Sequence, residues 1–227
     1  MLLNPYRFAV APTDPYWSNV TSLMRFNGAD GSSTIVDQKG LTWVQSIDPV
    51  VLDTEFKKYG TSSAMGMTPA PGGNRLALSA NSAFGFGTGD FTIEFWVKPD
   101  ASSTVSYATI MQLNNGVFNH AIYFDSGNSF IFKFGEDRTK TGIIAGQWYH
   151  IAVVRTSGVV KCFVDGVLVG PDISTTTNYG SSLPCYLFAT LSSGNYFRGW
   201  MDEFRVTKGV ARYITNFTPP TAEFPNS

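Results

Sequence analysis

The chain has 227 residues, of which 43% are hydrophobic and 15% aromatic, and its formal net charge is −1 at pH 7. Its Lys and Arg residues form no basic run, which argues against nucleic-acid binding and against attachment to an anionic membrane surface. No stretch approaches the roughly 20 apolar residues of a membrane span, and the N-terminus lacks the basic segment and long apolar run of a signal peptide. We therefore expect synthesis in the cytoplasm, with neither nucleic acid nor membrane as a partner.

The first segment, residues 1–19, contains three prolines among several aromatic residues. Prolines at this density favour extended backbone over an independently folded unit, so we predict an N-terminal arm. Its aromatic side chains pack either on the chain's own domain or on a neighbouring molecule. We predict a β-sandwich over residues 20–207 and an extended C-terminal tail, packing on that sandwich, over residues 208–227.

Short apolar runs separated by turn residues follow the arm. The first predicted strand is Ser22–Phe26, and Asn27–Gly31 is the turn that ends it. Further strands are predicted near residues 42–46, 64–67, 75–78, 91–99, 107–113, 120–124, 130–134, 146–155, 160–164, 167–169, 184–188 and 196–206. Asp165-Gly166 is a strong two-residue hairpin signal between two of these runs. No segment has helical periodicity, so the pattern predicts an all-β sandwich or barrel.

The clearest predicted strand follows Gly89-Asp90 and ends at Pro99. Successive side chains of a strand point to opposite faces, so its apolar and more polar residues separate into two rows. The apolar row is Phe91, Ile93, Phe95 and Val97, and the other row is Thr92, Glu94, Trp96 and Lys98. We predict a central, half-buried strand whose apolar row faces the core.

Four segments carry a recognisable pattern in a fixed order. They read FGTGDFTIEFWV at 86–97, GQWYHIAVVR at 146–155, VDGV at 164–167 and MDEFRV at 201–206. Together they resemble a laminin-G-like domain of the concanavalin-A-like lectin/glucanase superfamily, and the resemblance covers about Ser22 to Pro220. It implies a jelly-roll sandwich of two antiparallel sheets. Family members include glycan binders, protein binders and hydrolases, so the fold alone does not determine the function.

The C-terminal ending carries a second resemblance. KGVARY at 208–213, followed by NFTPP at 216–220, resembles the version of this domain that bacteriophages often encode in virion surface and tail-associated proteins. The resemblance implies a non-enzymatic component of the virion surface, a capsid decoration or tail- or fibre-associated protein with a lectin-like surface. Its partners would be other virion proteins or copies of itself in a homo-oligomer, and its synthesis would take place in the host cytoplasm. The alternative is a free carbohydrate-binding adhesion protein that recognises a host surface glycan.

A glycoside hydrolase is the least favoured function. Hydrolysis of this kind needs two carboxylates roughly 5–9 Å apart. Glycosidases of the resembled fold carry a Glu-x-Asp-x-(x)-Glu strand motif, whereas the comparable row here contains Glu94 as its single acid. No other predicted strand has two acids at alternate positions. We therefore expect no catalytic residues and no enzymatic activity.

Ligand binding is predicted for Trp96, Glu94 and Thr92, because an aromatic plane with polar neighbours suits a sugar ring. The alternative is that Trp96 packs under a loop or on the arm. Aromatic residues of the Ser192–Tyr196 loop are a second candidate for ligand binding.

The phase of the apolar residues changes within residues 197–206, so we predict a β-bulge at Asp202-Glu203. In relatives an Asp at this place often binds a structural calcium with the end of the first strand. The resemblance therefore implies calcium as a cofactor, bound by Asp202, Asn27 and Asp30. Relatives often carry Asp where this chain has Asn27, which removes a charge. The alternative for Asp202 is a salt bridge or a turn hydrogen bond.

Cys162 and Cys185 both lie within predicted strands. We interpret them as buried, reduced thiols; the alternative is a disulfide, which needs Cα atoms within roughly 7 Å. His150, close to Trp148, is interpreted as a hydrogen-bonded packing residue.

Overall fold

The computed structural model describes residues 13–66, 74–103, 105–114, 119–190 and 195–227. Most of the predicted arm, residues 1–12, and the loop candidate at residues 192–194 lie outside the described residues. In the described part, two 3-10 helices run over Trp17–Asn19 and Ser82–Phe84, and neither is long and apolar enough to cross a bilayer.

The described residues otherwise fold into strands joined by turns. In chain order these are β1 (Val20–Met24), β2 (Val44–Gln45), β3 (Val51–Asp53), β4 (Ser63–Gly66), β5 (Leu76–Asn81), β6 (Phe91–Pro99), β7 (Ala108–Asn114), β8 (Asn119–Asp125), β9 (Ser129–Phe134), β10 (Glu136–Lys140), β11 (Tyr149–Thr156), β12 (Val159–Val164), β13 (Val167–Leu168), β14 (Ile173–Ser174), β15 (Leu183–Leu187) and β16 (Gly199–Lys208).

The strands form two antiparallel sheets that pack face to face. The nine-stranded sheet, which we call sheet A, has the order β13-β12-β11-β6-β16-β4-β3, with β1 also paired to β16 and β14 to β12. The seven-stranded sheet, sheet B, has the order β10-β9-β8-β7-β15-β5-β2. The predicted all-β sandwich of two antiparallel sheets is confirmed.

β6 lies in the middle of sheet A, paired with β11 on one side and β16 on the other. Its apolar row faces sheet B, and all four side chains of that row are fully buried in the main hydrophobic core. Full burial of such a side chain stabilises the fold by about 1.5–3 kcal/mol. The inner row predicted from the alternating pattern is therefore confirmed.

The second row of β6 is buried as well, which corrects the prediction of a half-buried strand. Thr92 and Glu94 have no exposed surface, and Trp96 is 5% exposed. The chain after β16 crosses this outer face of sheet A, where Tyr213 and Phe217 pack against a small apolar cluster that includes Phe163. A sheet that is covered on both faces has no solvent-facing row.

The predicted β-bulge is present in β16. The register between β16 and β6 shifts between Asp202 and Arg205. Glu203 has a φ of 53°, in the left-handed region that residues other than glycine rarely adopt. The bulge leaves the side chains of both Asp202 and Glu203 fully buried.

The two cysteines lie on different sheets, Cys162 on β12 and Cys185 on β15, and both are free thiols in the main core. Burial raises the pKa of Cys162 to about 12 and the pKa of Cys185 well above its usual value. The interpretation as buried, reduced thiols is confirmed.

Candidate functional site

Glu94 lies at the centre of a buried polar cluster on the outer face of sheet A. Its Oε1 accepts hydrogen bonds from Arg205 Nε at 3.0 Å and from Nη2 at 2.8 Å. Its Oε2 accepts one from the Tyr213 hydroxyl at 2.8 Å and lies 3.3 Å from Nε2 of His150. The expected single acid of this row is therefore ion-paired and surrounded by donors on all sides.

A second carboxylate, Asp14, completes the cluster from the N-terminal side. Its Oδ2 lies 2.9 Å from Nη1 of Arg205 and 2.7 Å from Nη2 of Arg212. Two guanidinium groups thus face two carboxylates, so the cluster is neutral although it is buried. Burial of charges costs several kcal/mol per ion unless they are paired and hydrogen-bonded in this way. The cluster joins β16, β6, the residues before β1 and the tail.

The electrostatics of Glu94 are those of a structural ion pair. Burial alone would raise its pKa, but the charge of Arg205 and the adjacent imidazole of His150 outweigh that effect and lower the pKa to about 2. A general acid needs a pKa near the working pH. A fully buried carboxylate with a pKa this low is unsuited to proton transfer to a substrate.

Trp96 packs under a loop, which was the alternative to ligand binding. Its ring makes edge contacts with His150 and Tyr59 at centroid distances of 5.2 and 6.0 Å. Nζ of Lys58 lies 3.8 Å from the centre of the ring, a cation–π contact. His150, interpreted as a hydrogen-bonded packing residue, is fully buried between Trp96 and the tail residue Phe217. Its packing role is confirmed, but neither ring nitrogen forms a hydrogen bond among the described residues.

Thr92 is bound by the tail. Its hydroxyl donates to the carbonyl of Val210 at 2.9 Å and accepts from the backbone N–H of Arg212 at 2.9 Å. The predicted sugar-binding face of Thr92, Glu94 and Trp96 is thus corrected: the three residues do lie side by side, but the tail and the loop around Tyr59 cover them. The stacked rings of Tyr213 and Phe217, 3.6 Å apart, form part of that cover.

The residues predicted to bind calcium bond to separate parts of one loop. Asn27 Oδ1 accepts from the N–H of Thr61 at 2.6 Å, and Asp30 Oδ1 accepts from the N–H of Thr54 at 3.1 Å. Within the described ranges no group of three His, Cys, Asp or Glu residues could hold a metal ion.

Asp202, the third predicted ligand, is satisfied by N–H donors. Its Oδ2 accepts from Lys58 at 2.9 Å and Tyr59 at 3.0 Å, and its Oδ1 accepts from the N–H of Glu203 at 2.9 Å. Burial raises its pKa to about 7 against the lowering effect of these donors. This is the turn hydrogen bonding given as the alternative. All three side chains thus accept hydrogen bonds from backbone N–H groups, and removal of divalent cations tests the calcium site that the resemblance implies.

Glu203 was predicted as part of the bulge but not as a candidate functional residue. It is fully buried, its Oε2 accepts from the tail N–H of Phe224 at 2.6 Å, and its Oε1 has no partner among the described residues. Burial raises its pKa to about 8, and the neighbouring Asp202 adds to the rise. The sequence feature that could have indicated Glu203 was its position as an acidic residue at the predicted bulge of a central strand.

The outer face of sheet B carries an aromatic surface that the sequence did not indicate. Tyr107, 43% exposed, makes an edge contact with Tyr123 of β8 at 5.6 Å, and Nζ of Lys133 on β9 lies 5.4 Å from its ring centre. Tyr107 has a φ of 57°, and its N–H donates to Asp125 Oδ1 at 3.3 Å. Such backbone strain is often found at functional sites. We call the exposed ring of Tyr107, together with Lys133 and the buried ring of Tyr123 beside it, the tyrosine surface.

Residues 71–211 match a family model, Laminin_G_3, described as Concanavalin A-like lectin/glucanases superfamily. A search of the curated proteins found no match.

Solved structures that are similar to this chain include a domain of an arabinanase and binding domains of botulinum neurotoxins. One is domain 4 of AbnA, a GH43 extracellular arabinanase from Geobacillus stearothermophilus, in complex with arabinotriose; it is 21% identical, with a TM-score of 0.56, over 85% of this chain and 94% of that one. Another is the binding domain of botulinum neurotoxin serotype D, 10% identical with a TM-score of 0.59 over 87% of this chain. A third is the binding domain of botulinum neurotoxin DC in complex with SialylT, 13% identical with a TM-score of 0.58 over 86% of this chain. The chain spans about half the length of these toxin domains.

Proposed function

The chain belongs to the concanavalin A-like lectin/glucanase superfamily, and from this premise we propose that it is a non-enzymatic binding component of a bacteriophage virion. It decorates the capsid or belongs to the tail or fibre, docks on other virion proteins or on copies of itself, and presents a lectin-like surface that recognises a host glycan.

The observation that carries the binding role is the contrast between the two outer faces of the sandwich. The outer face of sheet A is closed by the chain's own tail and by the loop around Tyr59, and Trp96 beneath that loop is 5% exposed. On the outer face of sheet B, Tyr107 is 43% exposed beside Lys133. An accessible aromatic ring with a nearby cation and polar neighbours suits the apolar face and hydroxyl groups of a sugar. The tyrosine surface is therefore the proposed glycan site.

The ion pair of Glu94 supports a binding role over hydrolysis. Its carboxylate is the single acid of the row that is comparable in position to the glycosidase motif, and it is held by Arg205 beneath the tail. The solved structures of this fold include a domain bound to arabinotriose and toxin binding domains in complex with SialylT or with rat synaptotagmin II. By analogy these neighbours favour recognition of a glycan or a receptor, and a proposed role for this chain needs its own test.

The virion role rests on the resemblance of residues 208–220 to bacteriophage proteins of this kind. Mass spectrometry of purified virions, with copy number per particle, tests it. We expect the chain at a fixed, integral ratio to the major structural proteins. Its absence from washed particles would contradict the virion role and favour the alternative, a free adhesion protein using the same tyrosine surface. Release of reducing ends from a polysaccharide by the purified chain would contradict the non-enzymatic role.

A further inference from the structure

Asn27 lies three residues after the end of β1 and precedes Gly28. Its side-chain amide is therefore next to a backbone nitrogen whose own residue has no side chain. Both residues are solvent-exposed. Asn27 nevertheless has a fixed environment, because Thr61 and the tail residue Glu223 hold its amide on two sides.

Four hydrogen bonds define this environment. Oδ1 of Asn27 accepts from the N–H of Thr61 at 2.6 Å and from its hydroxyl at 3.1 Å. The same hydroxyl accepts from the N–H of Gly28 at 3.2 Å. Nδ2 of Asn27 donates to Oε1 of Glu223 at 2.6 Å. The Thr61 hydroxyl is thus placed between the N–H of Gly28 and the carbonyl oxygen of the Asn27 side chain.

Gly60 makes this close arrangement possible. Its φ is +60°, and a Cβ at this position would collide with Oδ1 of Asn27 and with Oε1 of Glu223. Only glycine adopts this conformation readily and leaves the space empty. The loop that contains Gly60 can therefore place the N–H and hydroxyl of Thr61 within hydrogen-bond distance of the Asn27 side-chain amide.

We propose that Asn27-Gly28 is a self-modifying site, at which the fold accelerates deamidation of Asn27. The nitrogen of Gly28 attacks Cγ of Asn27 and forms the N–Cγ bond of a succinimide. The Gly28 proton passes to Oγ1 of Thr61 while the Thr61 hydroxyl proton passes to Oδ1. The N–H of Thr61 stabilises the developing negative charge on Oδ1, as donors of an oxyanion hole do.

The intermediate then loses ammonia. The Cγ–Nδ2 bond breaks with its electron pair on nitrogen, and Nδ2 takes up the proton from the Oδ1 hydroxyl as the carbonyl re-forms. Glu223 accepts from Nδ2 and orients it for departure. Water, which reaches this exposed site, adds to either succinimide carbonyl and opens the ring to aspartate or isoaspartate. No oxidant or reductant takes part.

The product has a consequence for the tail. An aspartate at position 27 places a carboxylate against Glu223 where an amide donor had been, and two adjacent carboxylates cannot both ionise without cost. Glu223 precedes Phe224, which packs on Val20 and Leu23 in a small apolar cluster. Deamidation therefore loosens the tail at its C-terminal end.

Peptide mapping by mass spectrometry tests the acceleration with the full chain. The chain is incubated at neutral pH in buffer and, in parallel, in guanidinium chloride, and conversion of Asn27 is followed with time. The sequence contains one other Asn-Gly pair, Asn115-Gly116. The deamidation rate of Asn115 is measured in both samples as the reference for the effect of the solvent. We expect Asn27 to convert at least about tenfold faster in the folded chain than in the denatured one. This is a modest expectation, because one well-placed proton-transfer group usually accelerates a reaction by about 10²–10⁴-fold. Conversion at the same rate or more slowly in the folded chain overturns the proposal.

Two variants separate the chemistry from the stability of the fold. Thr61→Val keeps the shape of the side chain and removes the hydroxyl, so it should slow conversion in the folded chain by about 100-fold while leaving the denatured rate unchanged. An unchanged folded rate would overturn the role of Thr61. Asn27→Asp mimics the product and should lower the melting temperature by about 2–4 °C. An unchanged melting temperature would overturn the effect on the tail. The comparison of folded and denatured wild-type chain remains decisive even where a variant fails to fold.

Discussion

Arg205 donates two hydrogen bonds to one carboxylate oxygen of Glu94, at 3.0 and 2.8 Å, across 111 residues of sequence. The pair joins the two central neighbouring strands β16 and β6 on the outer face of sheet A. Because Glu94 has no exposed surface and Arg205 is 4% exposed, each charge depends on the other for compensation. The outer face of sheet A, which the sequence predicts to bind a ligand, is therefore a second buried layer of the fold.

Removing Arg205 should strongly destabilise the chain. Arg205→Met leaves Glu94 without its main partner and weakens the environment of Asp14, so the free energy of unfolding should fall by about 3–5 kcal/mol. Urea denaturation followed by tryptophan fluorescence measures it. The matched control is Lys133→Met, which removes a cation from an exposed pair 3.5 Å from Asp137 and should cost at most about 1 kcal/mol. Equal losses in the two variants would contradict the role of the buried pair.

Stability should fall on the acid side because of Glu94 and Asp14. The pKa of Glu94 is lowered to about 2 from 4.5 in the folded chain, and the pKa of Asp14 is also lowered. A depressed folded pKa gives stability that is present above the unfolded pKa and lost as pH falls toward the folded pKa. We expect the urea midpoint to decrease steadily between about pH 4.5 and pH 2. A flat profile over this range would show that the cluster is not ionised in the folded chain.

Stability should also fall on the alkaline side because of Glu203. Burial raises the pKa of Glu203 to about 8 and the pKa of Asp202 to about 7. A carboxyl whose pKa is raised in the folded chain contributes most to the free energy of unfolding at a pH below its unfolded pKa. That contribution is lost as the pH rises through the folded pKa. We expect the urea midpoint to be lower at about pH 8 than at about pH 5. Glu203→Gln, which cannot ionise, should reduce this decrease, and an unchanged decrease would exclude Glu203 as a cause.

The core of the sandwich could be predicted from local sequence. Phe91, Ile93, Phe95 and Val97 alternate strictly, and this pattern is sufficient to place them in the core because strand side chains alternate between faces. The bulge at Asp202 was predictable for the same reason, since one extra residue reverses the phase of the apolar positions.

The burial of Glu94 and Trp96 could not be predicted in the same way. The partners of Glu94, which are Arg205, Arg212 and Tyr213, lie more than 100 residues later. Trp96 packs against Tyr59 and His150, which are also distant in sequence. Nothing in the local pattern of β6 distinguishes a row that faces solvent from one that is covered by other segments. The tyrosine surface was missed because Tyr107 and Lys133 are brought together only by the pairing of β7, β8 and β9.

Removal of divalent cations tests the calcium prediction. Asp202 already accepts three N–H hydrogen bonds, and Asn27 and Asp30 bond to other residues of the loop. We therefore expect a chelator to leave the melting temperature unchanged, in the wild-type chain and in Asp30→Asn alike. A clear decrease with the chelator that calcium reverses and magnesium does not would contradict this expectation and establish a calcium site with oxygen ligands at about 2.3–2.6 Å.

Binding of the purified chain to a glycan array, compared between wild type, Tyr107→Ala and Trp96→Phe, tests the proposed glycan site most directly. We expect wild type to bind a defined group of glycans and Tyr107→Ala to lose at least about tenfold in affinity, equivalent to about 1.4 kcal/mol. Trp96→Phe should bind like wild type because position 96 is buried beneath the loop around Tyr59. Melting curves of both variants serve as the control for folding. Loss of binding in Trp96→Phe with full binding in Tyr107→Ala, or no binding by the wild-type chain, would contradict a lectin-like surface on sheet B.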